Sequence, residues 1–124
     1  MKNYETEVRS RFGATDAYRE YEQKTKTYTN EKWTAANDGM MAIVSEFAAC
    51  KDSGMNADSA KVLVLVAKLQ KHITENYYTC TDEILEGLGK MYIADERFKQ
   101  NIDKYGAGTA EFVSEGIRIY VQKK

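Results

Sequence analysis

The chain contains no proline, so nothing of that kind interrupts a helix anywhere along it. It has one histidine, His72, and two cysteines, Cys50 and Cys80. A Ser-His-Asp arrangement would have to be built on that one histidine. Two cysteines form one bridge at most, and in a reducing compartment two free thiols are the expectation. No HExxH, CxxC, Walker A or GxSxG pattern occurs. An excess of one charge is also lacking: 18 basic residues face 19 acidic ones, for a net charge of −1. A free-standing nucleic-acid binder would show a basic excess clustered on one face, so direct nucleic-acid binding by this chain is not expected. The longest aliphatic run, Val62 to Ala67, is too short to cross a bilayer, and the opening MKNYETEVRS has no apolar region of a signal peptide. A cytoplasmic location without membrane association is the resulting expectation.

What is present describes one ordinary globular domain of 124 residues, 43% hydrophobic and 30% charged. A chain of this size buries roughly two-thirds of its unfolded surface. Tyr4, Val8 and Phe12 share one face of a short helix over residues 2–12, which Gly13 ends. Thr15 or Asp16 caps a second short helix carrying Tyr18 and Tyr21. Helices this short are marginal alone, so residues 1–28 need the rest of the protein, or a ligand, to stay ordered. A long helix begins near Thr29 and carries Trp33, Ala36, Met40, Ile43 or Val44, Phe47 and Cys50, with Gly54 as its left-handed stop. Gly39 lies inside it at a cost of roughly 1 kcal/mol against alanine, which a close helix crossing would explain.

Asp58 or Ser59 caps the next helix. Its VLVLVA segment has strand-like composition, but Val62, Val66, Leu69, Ile73 and Tyr77 keep helical spacing and no second convincing strand exists to pair with it. Thr81 caps a helix with Ile84, Leu85, Leu88, Met91 and Tyr92 inward, and Asp95 caps one with Phe98, Ile102 and Tyr105 inward. After the Gly106-Ala107-Gly108 break, Thr109 starts a last helix whose stripe is Phe112, Val113, Ile117, Tyr120 and Val121. The fold class is all-α, a single domain of about seven helices with the first two weak.

Few residues offer chemistry. His72 is either a half-buried structural histidine or, in a multi-helix chain of globin size, a haem ligand. Cys80 precedes a helix N-terminus, where the dipole lowers a thiol pKa and makes it reactive; the other reading is a small buried apolar residue. Cys80 and His72 together are the whole basis for an enzymatic reading, and no third orienting group is identifiable. Asp82, Glu83 and Glu86 complement a helix dipole, and Glu86 pairs with Lys90. Gly87-Leu88-Gly89 does not follow a strand and is no dinucleotide loop; it lets another helix, or a ligand, approach the backbone. Nine tyrosines, four phenylalanines and one tryptophan fill a core or line a pocket for a large planar ligand.

The stretch Tyr77–Phe98 resembles the TipAS-type antibiotic-recognition domain. The resemblance rests on Tyr78-x-Cys80, Glu83 with Gly87-Leu88-Gly89 and Met91-Tyr92, and Asp95-Glu96-Arg97-Phe98. Gly13-x-Thr15-Asp16-Ala17-Tyr18, Lys26-Thr27-Tyr28-Thr29 leading to Trp33, Asn101-Ile102-Asp103 and Gly108-Thr109-Ala110-Glu111-Phe112 extend it over nearly the whole chain. That domain is typically the C-terminal, drug-sensing part of MerR-family transcription activators, and some members stand alone as drug-binding proteins. The resemblance implies a globin-like all-α fold without haem or other cofactor, and a cleft for large, often aromatic-rich antibiotics. It also implies an N-terminal lid, here residues 1–28 over a helical core of 29–124. DNA would be bound by a separate winged helix-turn-helix domain, which these residues do not include. In the thiopeptide-responsive prototype a cysteine seven residues beyond the Cys80 equivalent captures the drug; Gly87 stands there, so covalent capture by that route is lost. Ile84-Leu85 replaces a frequent Met-His and makes the wall greasier.

The resulting expectation is a non-enzymatic sensor or sequestering domain that binds a bulky, largely apolar small molecule without a covalent bond. Trp33, Tyr77, Tyr78, Cys80, Gly87, Met91, Tyr92 and Phe98 are its candidate ligand-binding residues; no metal site is expected. The alternative is a helical interaction module that takes a partner helix or forms a homodimer.

Overall fold

Four of the described helices begin at a residue whose side chain closes their own first turn. The computed structural model describes residues 16–123. Within them lie α1 (Asp16–Thr25), α2 (Asn30–Asp52), α3 (Ala60–Asn76), α4 (Asp82–Ala94), α5 (Glu96–Asp103) and α6 (Thr109–Gln122), and no strand. The Thr29, Ser59, Thr81 and Asp95 side chains accept the amide hydrogens of Lys32, Val62, Ile84 and Arg97, satisfying donors that have no partner inside a helix. These are the helix starts expected from the sequence. The helix expected over residues 2–12, with Tyr4, Val8 and Phe12, lies outside the described residues.

The last helix begins differently. Gly108, at φ +84°, precedes α6 and has no side chain to offer. Asp103, at the end of α5, accepts the Ala110 amide at 2.8 Å instead. A carboxylate at a helix N-terminus also complements the dipole, so one residue ends α5 and fixes the entry of α6.

Helix α6 packs against α2, α3, α4 and α5, most extensively against α4. Two glycines make these approaches close. A Cβ on Gly89 of α4 would stand 3.1 Å from Ile117 Cγ2, and one on Gly116 of α6 would stand 3.1 Å from Val62 Cγ1. Phe47, Val62, Val66, Leu69, Leu85, Val113 and Ile117 are fully buried around these crossings. A smaller cluster of Val44, Ile102 and Ala110, with Tyr92 against it, fills the space beside α5. Val64, inside the strand-like VLVLVA, is 65% exposed while Val62, Leu65 and Val66 are buried, which is helical and not strand periodicity.

One inward expectation needs correction. Tyr105 is 37% exposed: α5 ends at Asp103, so the helical phase that would have carried Tyr105 inward is lost in the following turn. Of the Gly-Leu-Gly triplet, Gly89 meets α6, whereas Gly87 is exposed and no heavy atom lies within 4 Å of where its Cβ would be.

Gly39 in α2 has a specific partner. Its missing Cβ would lie 2.5 Å from His72 Cε1 of α3. The ring sits there because His72 Nε2 bonds the Ala36 carbonyl at 2.8 Å. A carbonyl only accepts, so Nε2 carries the proton. Nδ1 faces the Asn76 amide nitrogen at 3.3 Å, so both ring nitrogens are engaged within the protein and His72 takes the structural role. Gly39→Ala gains about 1 kcal/mol of helix propensity but displaces the ring, losing a hydrogen bond worth about 1 kcal/mol and adding overpacking strain of roughly 1–3 kcal/mol. A net destabilisation of about 1–3 kcal/mol in urea unfolding is expected; a stabilised variant would show that the ring moves without cost.

Candidate functional site

The last carbonyls of a helix have no intrahelical partner, and at the end of α3 they are met by side chains from the chain's N-terminal part. Lys24 Nζ, in the last turn of α1, donates to the Thr74 carbonyl at 2.7 Å, and the Tyr28 hydroxyl donates to the Asn76 carbonyl. An ammonium there also complements the negative end of the α3 dipole. Just beyond, both Glu20 carboxylate oxygens are used: one accepts from the Thr79 amide and the other from its hydroxyl, each at 2.8 Å. These two bonds, the backbone one first, hold the Glu20 carboxyl below the ordinary carboxylate range. Lys32 of α2 adds a longer contact to Asn76 Oδ1 at 3.4 Å.

These polar contacts lay α1 and the turn after it over Trp33. The Tyr28 ring meets Trp33 edge-on at 5.3 Å, Tyr21 lies 6.2 Å away and Tyr77 lies 6.3 Å away on the α3 side. Lys32 Nζ stands 5.5 Å from the Tyr28 ring centre, within cation–π range. Tyr77 is buried, and its hydroxyl donates to Asn37 Oδ1 at 2.9 Å, which fixes the ring against α2. The result is an aromatic cluster with a base on α2 and α3 and an upper layer on the N-terminal segment.

The turn between α3 and α4 is held from beneath. Cys80 donates its amide to Thr74 Oγ1 at 3.0 Å. The Gln70 amide nitrogen donates to the Cys80 carbonyl at 2.8 Å and to Asp82 Oδ1 at 3.0 Å, and Gln70 in turn accepts from the Tyr120 hydroxyl at 3.3 Å. The Cys80 side chain is 4% exposed. Burial, followed by the Asp82 charge, pushes its thiol up to about 12, the opposite of what the helix dipole alone would do. This fits the reading of Cys80 as a small buried apolar residue and not the reactive-thiol one.

Of the expected residues, Tyr77, Cys80 and Met91 belong to the main hydrophobic cluster, and Trp33, Tyr78, Tyr92 and Phe98 pack against it half-buried. Ring contacts bring Trp33 to Tyr77 and, on the α4–α5 side, Tyr92 to Phe98 at 6.0 Å. Gly87 stands apart from the cluster on the exposed face of α4. Tyr21 and Tyr28 join Trp33, although the sequence reading named neither as ligand-binding. Glu20, Lys24 and Asn76, which position them, look like ordinary surface residues; their spacing carries no signal. A concavity along α2, lined by Asn30, Glu31, Thr34, Ala35 and Asp38, contains none of the expected residues.

Two outcomes follow. Native protein treated with iodoacetamide at about pH 8, near the ordinary thiol range, leaves Cys80 unmodified until denaturant is added; alkylation at a free-thiol rate would contradict its burial. For Glu20, the undocked carboxyl takes up a proton at higher pH than the docked one, so the clamp's contribution is complete above the ordinary carboxylate range. It is lost as pH falls through the lowered docked value. Protection of residues 16–28 from proteolysis should fall across that acidic range in the parent, and Glu20→Gln should already lack that share at neutral pH.

The TipAS antibiotic-recognition domain family matches residues 4–120 of the chain. The chain is 40% identical over 114 residues to the HTH-type transcriptional activator TipA of Streptomyces coelicolor, covering 92% of this chain and 45% of that protein. It is 36% identical over 120 residues to the HTH-type transcriptional activator mta of Bacillus subtilis, covering 97% of this chain and 46% of that one. The chain thus spans a little under half the length of these curated relatives. Its fold superposes with a TM-score of 0.88 on TipAS of Streptomyces lividans solved in complex with nosiheptide, at 37% identity, covering 98% of this chain and 85% of that one. The chain belongs to the TipAS antibiotic-recognition domain family.

Proposed function

We propose that this chain is the effector-binding domain of a MerR-type transcriptional activator, and that it takes a bulky, hydrophobic, antibiotic-like molecule without a covalent bond. The observation that carries the reading is the fold it shares with a TipAS domain whose partner is the thiopeptide nosiheptide. The aromatic cluster around Trp33 and Tyr77 suits such a molecule, because flat apolar rings stack on it and phenol hydroxyls supply the few polar contacts. Tyr78, Tyr92 and Phe98 offer further half-buried surface, with Met91 and Cys80 as backing and Gly87 as a point where a ligand approaches the backbone. Residues 1–28 act as the lid over a core of residues 29–124. DNA is contacted by a separate winged helix-turn-helix domain of the longer regulator, in the cytoplasm. The domain itself performs no catalysis.

Binding without covalent capture is supported from two sides. Gly87 has no thiol, and the Cys80 thiol is buried and stays protonated at neutral pH. Trp33 is the sole tryptophan, so its emission reports directly on the cluster. Titration with a panel of thiopeptides and lipophilic drugs should change that emission at saturable concentrations, and denaturing mass spectrometry should return the unmodified protein mass. Tyr77→Ala should weaken binding about tenfold, the loss of one aromatic contact worth about 1 kcal/mol plus its buried area. Failure of the whole panel, together with self-association in sedimentation, would favour the interaction-module reading. In a verified complex, unchanged hydrogen exchange over residues 16–28 would remove the lid.

A further inference from the structure

We propose that Thr74 is the positioning residue for the docked N-terminal segment: its carbonyl receives Lys24, and its hydroxyl sets the turn that presents Thr79 to Glu20. The inference concerns docking in the free protein and holds whichever molecule the domain binds.

Both prongs of the contact come from one face of α1. Glu20, Tyr21, Lys24 and Thr25 are half-buried, whereas Arg19, Glu22 and Gln23 are exposed. Glu20 and Lys24 stand four residues apart, one above the other on the helix surface. Two such groups engage together only if their receivers are held at a matching separation. Those receivers are the Thr74 carbonyl, 2.7 Å from Lys24 Nζ, and the amide and hydroxyl of Thr79, each 2.8 Å from a Glu20 oxygen.

The carbonyl is open to Lys24 because of the way α3 ends. Continued α-helical bonding would give it the Tyr78 amide. That amide turns back instead to the Ile73 carbonyl at 3.1 Å, which also holds the Tyr77 amide at 2.8 Å. The Thr74 carbonyl is thereby left for a partner from outside the helix, and Lys24 supplies it.

The hydroxyl acts on the other prong. Thr74 Oγ1 accepts the Cys80 amide at 3.0 Å, and that amide belongs to the peptide unit directly after Thr79. The Cys80 carbonyl is taken by Gln70 Nε2 at 2.8 Å. Gln70 and Thr74 are themselves one turn apart, so two neighbouring side chains of α3 hold both polar backbone groups of Cys80. Cys80 is buried, so without the hydroxyl its amide has no water to turn to, and the turn must shift toward another partner. Thr79 moves with it. That residue is exposed, so packing does not fix it and the position of its amide is inherited from Cys80.

The test uses the ligand-free chain and Thr74→Val, which removes the hydroxyl, keeps the carbonyl and preserves the branched shape. Two quantities are read: amide exchange over residues 16–28, and the Glu20 side-chain carboxyl titrated by carbon NMR. In the parent, Glu20 titrates below the ordinary carboxylate range because of its bonds to Thr79. In Thr74→Val that titration should move back toward the ordinary range. Protection over residues 16–28 should fall about three- to tenfold, the scale of one lost hydrogen bond. Thr74→Ser should restore both. In a Glu20→Ala background Thr74→Val should cost little further protection, whereas in a Lys24→Met background it should cost its full share, since changes acting through one contact do not add. Should Thr74→Val fail to fold by circular dichroism, Thr74→Ala is read in the same way. An unchanged Glu20 titration overturns the proposal. So does an equal loss of protection with Glu20 already removed, which would mark Thr74 as a general support of α3.

Discussion

The fold hangs on how closely α6 lies against its neighbours. Gly89 gives α4 its approach to Ile117, and Gly116 gives α6 its approach to Val62 and Val66 of α3. Any side chain at either position would force the packed residues to give by a few tenths of an ångström, and protein interiors yield little at that scale. With α4 and α3 both pressed closely against one helix, the turn between them is held in place as well. Gln70, reached by Tyr120 of α6, then secures that turn through the Cys80 carbonyl. The position of the candidate site is thus inherited from a crossing some distance away in the chain.

On that rigid base the N-terminal segment is added by a different kind of force. The core is held by apolar packing, whereas α1 is attached mainly through side chains that satisfy helix-end carbonyls and one loop threonine. Each such bond contributes about 1 kcal/mol, more where a charge is involved. The aromatic layer of Tyr21 and Tyr28 on Trp33 contributes at a similar scale. A segment held in this way is well placed, yet its release does not open the core.

The parts legible in the sequence were those whose signals are local. Thr29, Ser59, Thr81 and Asp95 announce helix starts because a capping side chain acts within three residues of itself. The apolar stripes of α3 and α4 were legible because burial follows helical period, and Tyr105 misled because periodicity carries no information once a helix has ended. Gly39 showed its cost in the sequence but not its cause, since His72 lies on another helix. Cys80 was subject to opposed influences, a dipole that lowers and a burial that raises, and only packing decides between them. The ring contact between Trp33 and Tyr77 joins residues far apart in the chain, so composition could supply the aromatics without assigning them to one cluster. The resemblance to a known family bridged that gap for the fold, while Glu20, Lys24 and Asn76 stayed hidden among ordinary polar residues.

The bonds that dock the N-terminal segment also have a temporal meaning. Glu20 meets Thr79, Lys24 meets Thr74 and Tyr28 meets Asn76 across 59, 50 and 48 positions of chain. Contacts of such separation close large loops and need α3 to be complete before they have anything to bind. Their formation is therefore a late event in folding, and their loss an early one in unfolding. Nascent chain emerging N-terminus first must leave this segment waiting, its tyrosines unsheltered, until the end of α3 has been made.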